Sequence, residues 1–296
     1  MNRGVLQGIM AYVLWGLLPV FWKLLDNVPA LEILSHRIVW SLALCVFLLV
    51  LSKRVGWIGD IRKHPRALFA VAGATILLSF NWGLYIWAVN SGHIVETSLG
   101  YFINPLINVA LGVLVLKEQL RRPQWIAIAT AAIGVLFLSV VYGHPPWISL
   151  ALGVSFAFYG LLKKQAKLPA LEGLTLETAL VALPALAFLF SLSLTGESQF
   201  SGGGFRQTAL LVGAGAATAT PLLFFSAAAQ RIPLSLLGVL QYIAPSIQFL
   251  LGVFAYGEDF DSERLIGFAI IWLALALFAG DAVLFYRRRA VDVSAR

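Results

Sequence analysis

The sequence predicts an all-α membrane protein with ten transmembrane helices, arranged as two five-helix repeats of inverted topology. Three observations lead to this prediction: the composition, a series of long apolar runs, and a similarity between the two halves of the chain. The chain has 296 residues, of which 60% are hydrophobic and only 12% are charged. A soluble domain would contain about 25% charged residues. The composition therefore excludes a soluble globular protein.

The charge and the cysteine content exclude further classes. The formal net charge is +7, but the basic residues lie between long apolar runs, so they indicate membrane topology and not binding to nucleic acid. Cys45 is the only cysteine of the chain. A disulfide framework or a cysteine-ligated metal site within one chain is therefore excluded.

The apolar runs have the length of membrane spans. A bilayer core of roughly 30 Å requires about 20 apolar residues in a helix. Ten such runs, separated by Lys, Arg, Pro or Gly clusters, lie at residues 5–25, 30–51, 67–89, 95–116, 123–141, 148–163, 174–194, 208–229, 235–256 and 265–285. The sixth is short, and the seventh contains Glu177 and Pro184.

The basic residues predict the orientation of these spans. With ten spans, all but a few of the 21 lysines and arginines fall on the side of the membrane that holds both termini. Because basic loops are retained in the cytoplasm, we expect both termini to be cytoplasmic.

The two halves of the chain resemble each other. Residues 105–118 align with residues 245–258, with a Pro, a Gly and a Glu in the same register, and Trp15 aligns with Tyr159. The predicted repeats are residues 4–141 and 146–287, followed by a basic cytoplasmic tail at 288–296. Each repeat has five spans, so the second enters the membrane from the opposite side. This arrangement is typical of secondary transporters, in which the substrate binds near the midplane between the repeats.

Three further motifs accompany the repeat: S-H-R-I-V-W at residues 35–40, N-W-G-L-Y-I-W-A-V-N at 81–90 and E-T-S-L-G-Y-F-I-N-P-L at 96–106. With these motifs, nearly the whole chain resembles the EamA repeats of the drug/metabolite transporter superfamily, and more narrowly its RarD-type branch. The resemblance implies a multi-pass protein of the bacterial inner membrane that exports small solutes, with amino acids, including aromatic ones, first among them. Drugs, sugars and amines are alternative substrates, and a membrane receptor or scaffold without transport is an alternative function.

Polar residues recur on one face of the fourth and ninth spans. They are Thr97, Tyr101, Asn104 and Asn108 in the fourth span, and Gln241 and Gln248 in the ninth. Polar side chains in hydrocarbon are unfavourable unless they face partners or water, so these faces are predicted to form opposite walls of a substrate cavity. Pro105 and Pro245 are predicted to interrupt the two helices and free backbone carbonyl groups. The alternative is that the amides bond one helix to another.

Aromatic residues and one arginine complete the predicted substrate site. The aromatic set, with one neighbouring amide, is Trp15, Asn81, Trp82, Tyr85 and Tyr159. These rings suit amphiphilic or aromatic solutes, although aromatic residues of membrane helices also face lipid. Arg37 could bind a substrate carboxylate through two parallel hydrogen bonds. The alternative is a structural ion pair with Glu32, Glu96 or Glu258.

The energy source stays open at this level. Proton coupling is expected to need an acidic residue deep in a span, but Glu177 lies only about a turn inside the seventh, and Asp281 can pair with Arg287. No motif of an enzyme, cofactor or metal site is present. We therefore expect a non-enzymatic protein without cofactor or metal, whose partners are the lipid bilayer and a small-molecule substrate, not nucleic acid. It is expected to act as a monomer or a weak homodimer.

Overall fold

A computed structural model of the chain describes residues 3–53, 65–91, 94–141, 147–256 and 262–294, and throughout these ranges the regular secondary structure is helical. Helices α1 to α5 are Arg3–Trp22, Ala30–Leu51, Pro65–Asn90, Ile94–Leu114 and Arg122–Val141. Helices α6 to α8 are Trp147–Ala166, Ala170–Thr195 and Gly204–Ala229. Helix α9 comprises Leu234–Gln241, Ile243–Leu250 and the π-helical turn Leu251–Ala255, and α10 is Ser262–Ser294. Two short elements are the 3₁₀ turn Lys23–Leu25 and the helical turn Gln199–Gly202.

The helices have the length and composition of membrane spans. In the described part of the chain, 7 of them are long and apolar enough to cross a bilayer, namely α1, α2, α3, α5, α7, α8 and α9. Helices α4 and α10 contain shorter apolar stretches, Gly100–Leu114 and Leu265–Asp281. The described ranges are thus all-helical and have the character of a multi-pass membrane protein.

Proline and glycine define several helix ends. Pro29, Pro169 and Pro233 immediately precede α2, α7 and α9, with φ between −53° and −56°. The ring of proline holds φ near the helical value and has no N–H to leave unpaired at a helix start. Gly196 ends α7 in the left-handed conformation, at φ 71°, and its N–H donates to the carbonyl of Leu192. A residue with a side chain would be strained there.

The two predicted helix breaks differ. Helix α9 is interrupted at Tyr242, three residues before Pro245, whose missing N–H leaves the Gln241 carbonyl without its helical donor. Helix α4 continues through Pro105 to Leu114. A single proline removes one hydrogen bond of a helix without necessarily ending it.

Helix α10 also differs from the sequence prediction. It extends to Ser294, so most of the predicted basic tail continues the helix, since arginine is a good helix former. Asp281 of α10 pairs with Arg121, whose Nη2 lies 2.5 Å from a carboxylate oxygen. This ion pair joins α10 to the start of α5, and the side chain of Arg287, its expected partner, lies outside the described residues.

The helices pack in a regular set of pairs. Helix α4 packs against α6 and the first part of α9, and α1 packs against α8 and the second part of α9. Helix α3 packs against α6, α2 against α7 and α8, and α5 against α10. Gly238 of α9 lies so close to α4 that a Cβ atom there would stand 2.8 Å from the Pro105 carbonyl oxygen. The α4–α9 crossing therefore depends on a residue without a side chain.

Contacts between helix ends define two faces of the bundle. On the first, Glu118, which follows α4, accepts from the backbone N–H of Leu234 at the start of α9. Arg231 donates to the Gln7 side chain there at 2.9 Å, which joins the start of α1 to the end of α8, and we call this the Glu118 face.

On the opposite face, which we call the Arg37 face, Arg37 lies over the ring of Trp22 at the end of α1. The Lys23 ammonium lies 3.8 Å from the centre of the Tyr256 ring there, which joins the ends of α1 and α9.

Candidate functional site

Arg37 occupies a cluster built by four helices. Its Nε donates to the hydroxyl oxygen of Thr218 at 2.8 Å. The guanidinium carbon lies 4.8 Å from the centre of the Trp22 ring and 5.2 Å from that of Trp82. Both distances are within the range of a cation–π interaction. Arg37 of α2 is thus held by residues of α1, α3 and α8.

Two tyrosines extend this cluster. The rings of Tyr85 and Tyr101 are 6.4 Å apart in an edge-to-face arrangement, and both side chains lie near Arg37. Nevertheless, 38% of Tyr85 and 41% of Tyr101 remain exposed. The cluster therefore presents a cation together with accessible aromatic surface.

Within the described residues, no carboxylate neutralises Arg37. Glu32, one of its expected partners, accepts instead from the backbone N–H of Gln199 at 2.8 Å and the hydroxyl of Ser198 at 3.1 Å. The Glu96 side chain and the whole of Glu258, the other expected partners, lie outside the described residues, as does the Thr97 side chain. The structure thus corrects the pairing with Glu32, because that carboxylate holds the link between α7 and α8.

Three of the predicted amides form a buried chain. Asn104 donates to the carbonyl of Gly153 at 2.6 Å, and Asn108 donates to Asn104 at 2.9 Å and to Gln241 at 3.1 Å. The chain joins α4 to α6 and α9, as in the alternative of interhelical bonding. The side-chain oxygen of Asn108 is buried without a hydrogen-bond partner. In this conformation the three amides contact each other and have little exposed surface.

Gln248 compensates for a proline in another helix. Its Nε2 donates to the backbone carbonyl of Trp15 at 3.2 Å. In a regular helix that carbonyl would accept from the N–H of the residue four positions later, but this residue is Pro19. Asn81 also joins two helices, because it donates to the Leu152 carbonyl at 2.8 Å and so links α3 to α6.

An aromatic cluster fills the bundle between Arg37 and the Glu118 face. It consists of Tyr12, Trp15, Phe156, Tyr159 and Phe225, with adjacent ring centres between 5.5 and 6.3 Å apart. Tyr12 and Tyr159 are completely buried, and the Tyr12 hydroxyl has no hydrogen-bond partner. Predicted site residues Trp15 and Tyr159 therefore belong to a closed part of the structure.

The structure adds a buried ion pair that the sequence did not indicate. Lys163 Nζ lies 2.7 Å from a carboxylate oxygen of Glu177, and the Tyr159 hydroxyl donates to the other oxygen at 3.2 Å. Lys163 is the last residue of the sixth predicted span, and Glu177 lies only about a turn inside the seventh. The motif Pro-Ala-Leu-Glu, at residues 29–32 and again at 169–172, could have revealed the site, because it sets the register that places Glu177 at the repeat position of Arg37.

The predicted site residues thus fall into three groups. The groups are Arg37, Trp82, Tyr85 and Tyr101 in the accessible cluster; Asn104, Asn108 and Gln241 with Pro105 and Pro245 in the buried middle; and Trp15, Asn81, Tyr159 and Gln248 in contacts between helices. Only the first group offers both charge and exposed surface.

Comparisons with known proteins agree with this architecture. Residues 2–140 match the EamA-like transporter family. The chain is 49% identical to Protein RarD of Streptomyces exfoliatus, over 99% of this chain and 93% of that protein. It is 45% identical to an uncharacterized transporter of Vibrio cholerae, over 95% of this chain and 93% of that protein. A solved crystal structure with 22% identity covers 93% of this chain and 97% of its own, with a TM-score of 0.69, which shows a shared fold.

Proposed function

Since the chain belongs to the EamA-like transporter family, with near full-length relatives of the RarD type, we propose that it exports small amphiphilic metabolites by alternating access. Amino acids, including aromatic ones, are the proposed substrates. The protein would act in the bacterial inner membrane, with both termini in the cytoplasm, as a monomer or a weak homodimer. Family membership places the chain among transporters and not among enzymes.

The Arg37 cluster is the observation that carries the substrate proposal. A guanidinium group binds a carboxylate through two parallel N–H···O bonds. Trp22 and Trp82 hold the guanidinium, and no described carboxylate occupies it. Tyr85 and Tyr101 supply accessible aromatic surface beside it. A carboxylate attached to a ring or an apolar group, as in an aromatic amino acid, matches both features.

The packing of the helices supports the inverted repeat. The inverted repeat relates α1 to α5 of the first half to α6 to α10 of the second. Under this relation the pair α3–α6 corresponds to α8–α1, and the pair α4–α6 corresponds to α9–α1. All four of these helix pairs are in contact. The pairs α2–α7, α4–α9 and α5–α10 are exchanged with themselves, and they also pack together. A two-fold relation between the halves accounts for this pattern.

We also propose that this structure is the outward-facing state. With cytoplasmic termini, the Glu118 face is cytoplasmic and the Arg37 face is external. The aromatic cluster closes the path towards the Glu118 face, whereas Tyr85 and Tyr101 on the other side remain exposed. Alternating access would open the Glu118 face by separating the rings of the aromatic cluster.

The test is counterflow of a radiolabelled aromatic amino acid into proteoliposomes. We expect Arg37→Gln to weaken the apparent affinity on the order of a hundredfold, because a charge pair that excludes water is worth about 2–5 kcal/mol. Arg37→Lys should also be weaker, since an ammonium does not form the two parallel bonds. Lys23→Gln is the matched control, because Lys23 is a cation over an aromatic ring on the same face, and it should retain the wild-type affinity.

A competitor without a carboxylate sharpens this test. The amine obtained by decarboxylating the substrate should compete weakly in the wild type, and the difference between amine and amino acid should vanish in Arg37→Gln. Unchanged affinity in that variant would remove Arg37 from the site. Absence of counterflow in the wild type for all amino acids would refute the amino-acid assignment and favour drugs, sugars or amines.

A further inference from the structure

Lys163 and Glu177 form a buried ion pair between α6 and α7. Both side chains are almost completely buried, at 5% and 2% exposure, in the closed region beside the aromatic cluster. Ionised side chains inside a membrane protein are unfavourable and commonly mark ion pathways or proton relays. A buried ion pair is also weak evidence for stability, because apolar residues of similar volume often replace it without loss.

The pair bridges two groups of helices. Glu177 belongs to α7, which packs chiefly on α2, whereas Lys163 and Tyr159 belong to α6, which packs on α3 and α4. At this level two polar contacts to one carboxylate link α6 to α7. A change of charge on that carboxylate acts on both contacts at once.

A small cavity joins Glu177 to the Arg37 cluster. Its volume is about 10 Å³, close to the minimum of about 10–15 Å³ that one water molecule needs. Thr75, Glu177, Thr178 and Trp82 are among the residues that line it. The Thr75 and Thr178 hydroxyl groups donate to backbone carbonyls of their own helices, and the Trp82 ring also contacts Arg37. A water molecule in this cavity would lie between Glu177 and Trp82 of the Arg37 cluster.

The other neighbours of Glu177 bring few charges. Helix α6 contributes Lys163 and Tyr159, and α2 contributes Cys45, whose thiol lies near both members of the pair. The described residues that α3 places beside Glu177 are not titratable. In α8 the only charged residue is Arg206, at its other end. Among the described residues, the charged groups at this site are thus one carboxylate and one ammonium.

Building on the proposed transport function, we propose that Glu177 binds the proton to which transport is coupled, with Lys163 as its internal counter-charge. The carboxylate takes up a proton from the Arg37 face and becomes a neutral carboxylic acid. Lys163 is then an unpaired cation in a closed interior, which is strongly unfavourable. The equilibrium shifts to the conformation in which the Glu118 face opens and water reaches Lys163. Release of the proton on that face restores the pair.

Cys45 provides a reporter that does not depend on the substrate. It is the only cysteine, it is completely buried, and it lies beside the pair. Only the thiolate reacts with a maleimide, so the intrinsic labelling rate falls roughly tenfold for each pH unit below the thiol pKa. If protonation of Glu177 opens the Glu118 face, acidification should expose Cys45 and oppose this fall.

The experiment measures labelling of Cys45 by N-ethylmaleimide in proteoliposomes at pH 8 and pH 6. The variant K163Q/E177Q replaces the ion pair with two amides and leaves no unpaired charge. We expect the ratio of wild-type to K163Q/E177Q labelling rates to rise by about tenfold or more on acidification. Loss of the two charges can change the thiol pKa, but this changes the ratio by the same factor at both pH values. Glu172→Gln, a buried acid near the start of the same helix, is the matched control and should behave as the wild type.

Parallel rates in wild type and K163Q/E177Q would overturn the proton site. If K163Q/E177Q does not fold, Glu177→Asp replaces it, because this variant keeps a titratable group and is expected to retain the wild-type response. In that case, a wild-type labelling rate that falls with pH only as the thiolate fraction does is sufficient to overturn the proposal. Counterflow in the same vesicles separates the two proposals. Counterflow without a pH response of Cys45 refutes the proton site alone, whereas a pH response without amino-acid counterflow refutes only the substrate assignment.

Discussion

Replacing Glu118 should destabilise the Glu118 face. Its carboxylate accepts from the backbone N–H groups of Leu234, at 2.6 Å, and Ser235, at 2.9 Å, and from the Ser235 hydroxyl at 2.7 Å. These groups begin α9, whose preceding residue, Pro233, offers no side-chain cap. The carboxylate after α4 therefore replaces the missing cap of α9, where negative charge also interacts favourably with the helix dipole.

The expected loss follows from these three contacts. A hydrogen bond to a charged group contributes about 1.5–3 kcal/mol, and a helix cap about 1 kcal/mol. The contacts are partly buried, so water replaces some of them in a variant. Glu118→Ala should therefore lower the free energy of unfolding by about 3 kcal/mol. Glu118→Gln keeps one carbonyl acceptor and should lose about 1–2 kcal/mol.

The assay is thermal unfolding of the purified protein in detergent, followed by tryptophan fluorescence. Glu197→Ala is the control, because Glu197 is an exposed acid at the end of α7, and a surface substitution should stay within about 0.5 kcal/mol. Equal stability of the Glu118→Ala and Glu197→Ala variants would refute the capping role. If Glu118→Gln were as unstable as Glu118→Ala, the amide carbonyl would contribute no capping bond.

Two further substitutions test contacts between helices. Gln248→Leu should lower the free energy of unfolding by about 1 kcal/mol. The loss should be smaller in a Pro19→Ala background, because the Trp15 carbonyl regains its helical donor there. A double-mutant cycle of unfolding free energies measures this coupling. Gly238→Ala should lower the free energy of unfolding by about 1–3 kcal/mol, because its Cβ would stand 2.8 Å from the Pro105 carbonyl oxygen. A melting temperature equal to that of the wild type would show that α4 and α9 can move apart without loss of stability.

Much of the fold could be predicted because it depends on local properties. The start of the second predicted span agrees with α2, since Pro29 constrains the backbone at that point. The seventh predicted span begins at residue 174, whereas α7 begins at Ala170, directly after Pro169. The extension of α10 beyond the apolar run was missed, because charged residues end a membrane span without ending a helix. Periodicity also placed Asn104 and Asn108 on one face of α4. Whether that face meets a cavity or another amide is not a local property.

The composition and the length of the apolar runs determined by themselves that the chain is a helical membrane protein, because a bilayer selects for apolar segments that satisfy their own backbone hydrogen bonds. Only the tertiary structure decided which polar groups meet. Glu118 caps a helix more than a hundred residues away, Lys163 neutralises Glu177, and Arg37 lies between two tryptophans without a described acid. Such pairs depend on how the helices cross, and the energy of each contact depends on how completely its neighbours exclude water.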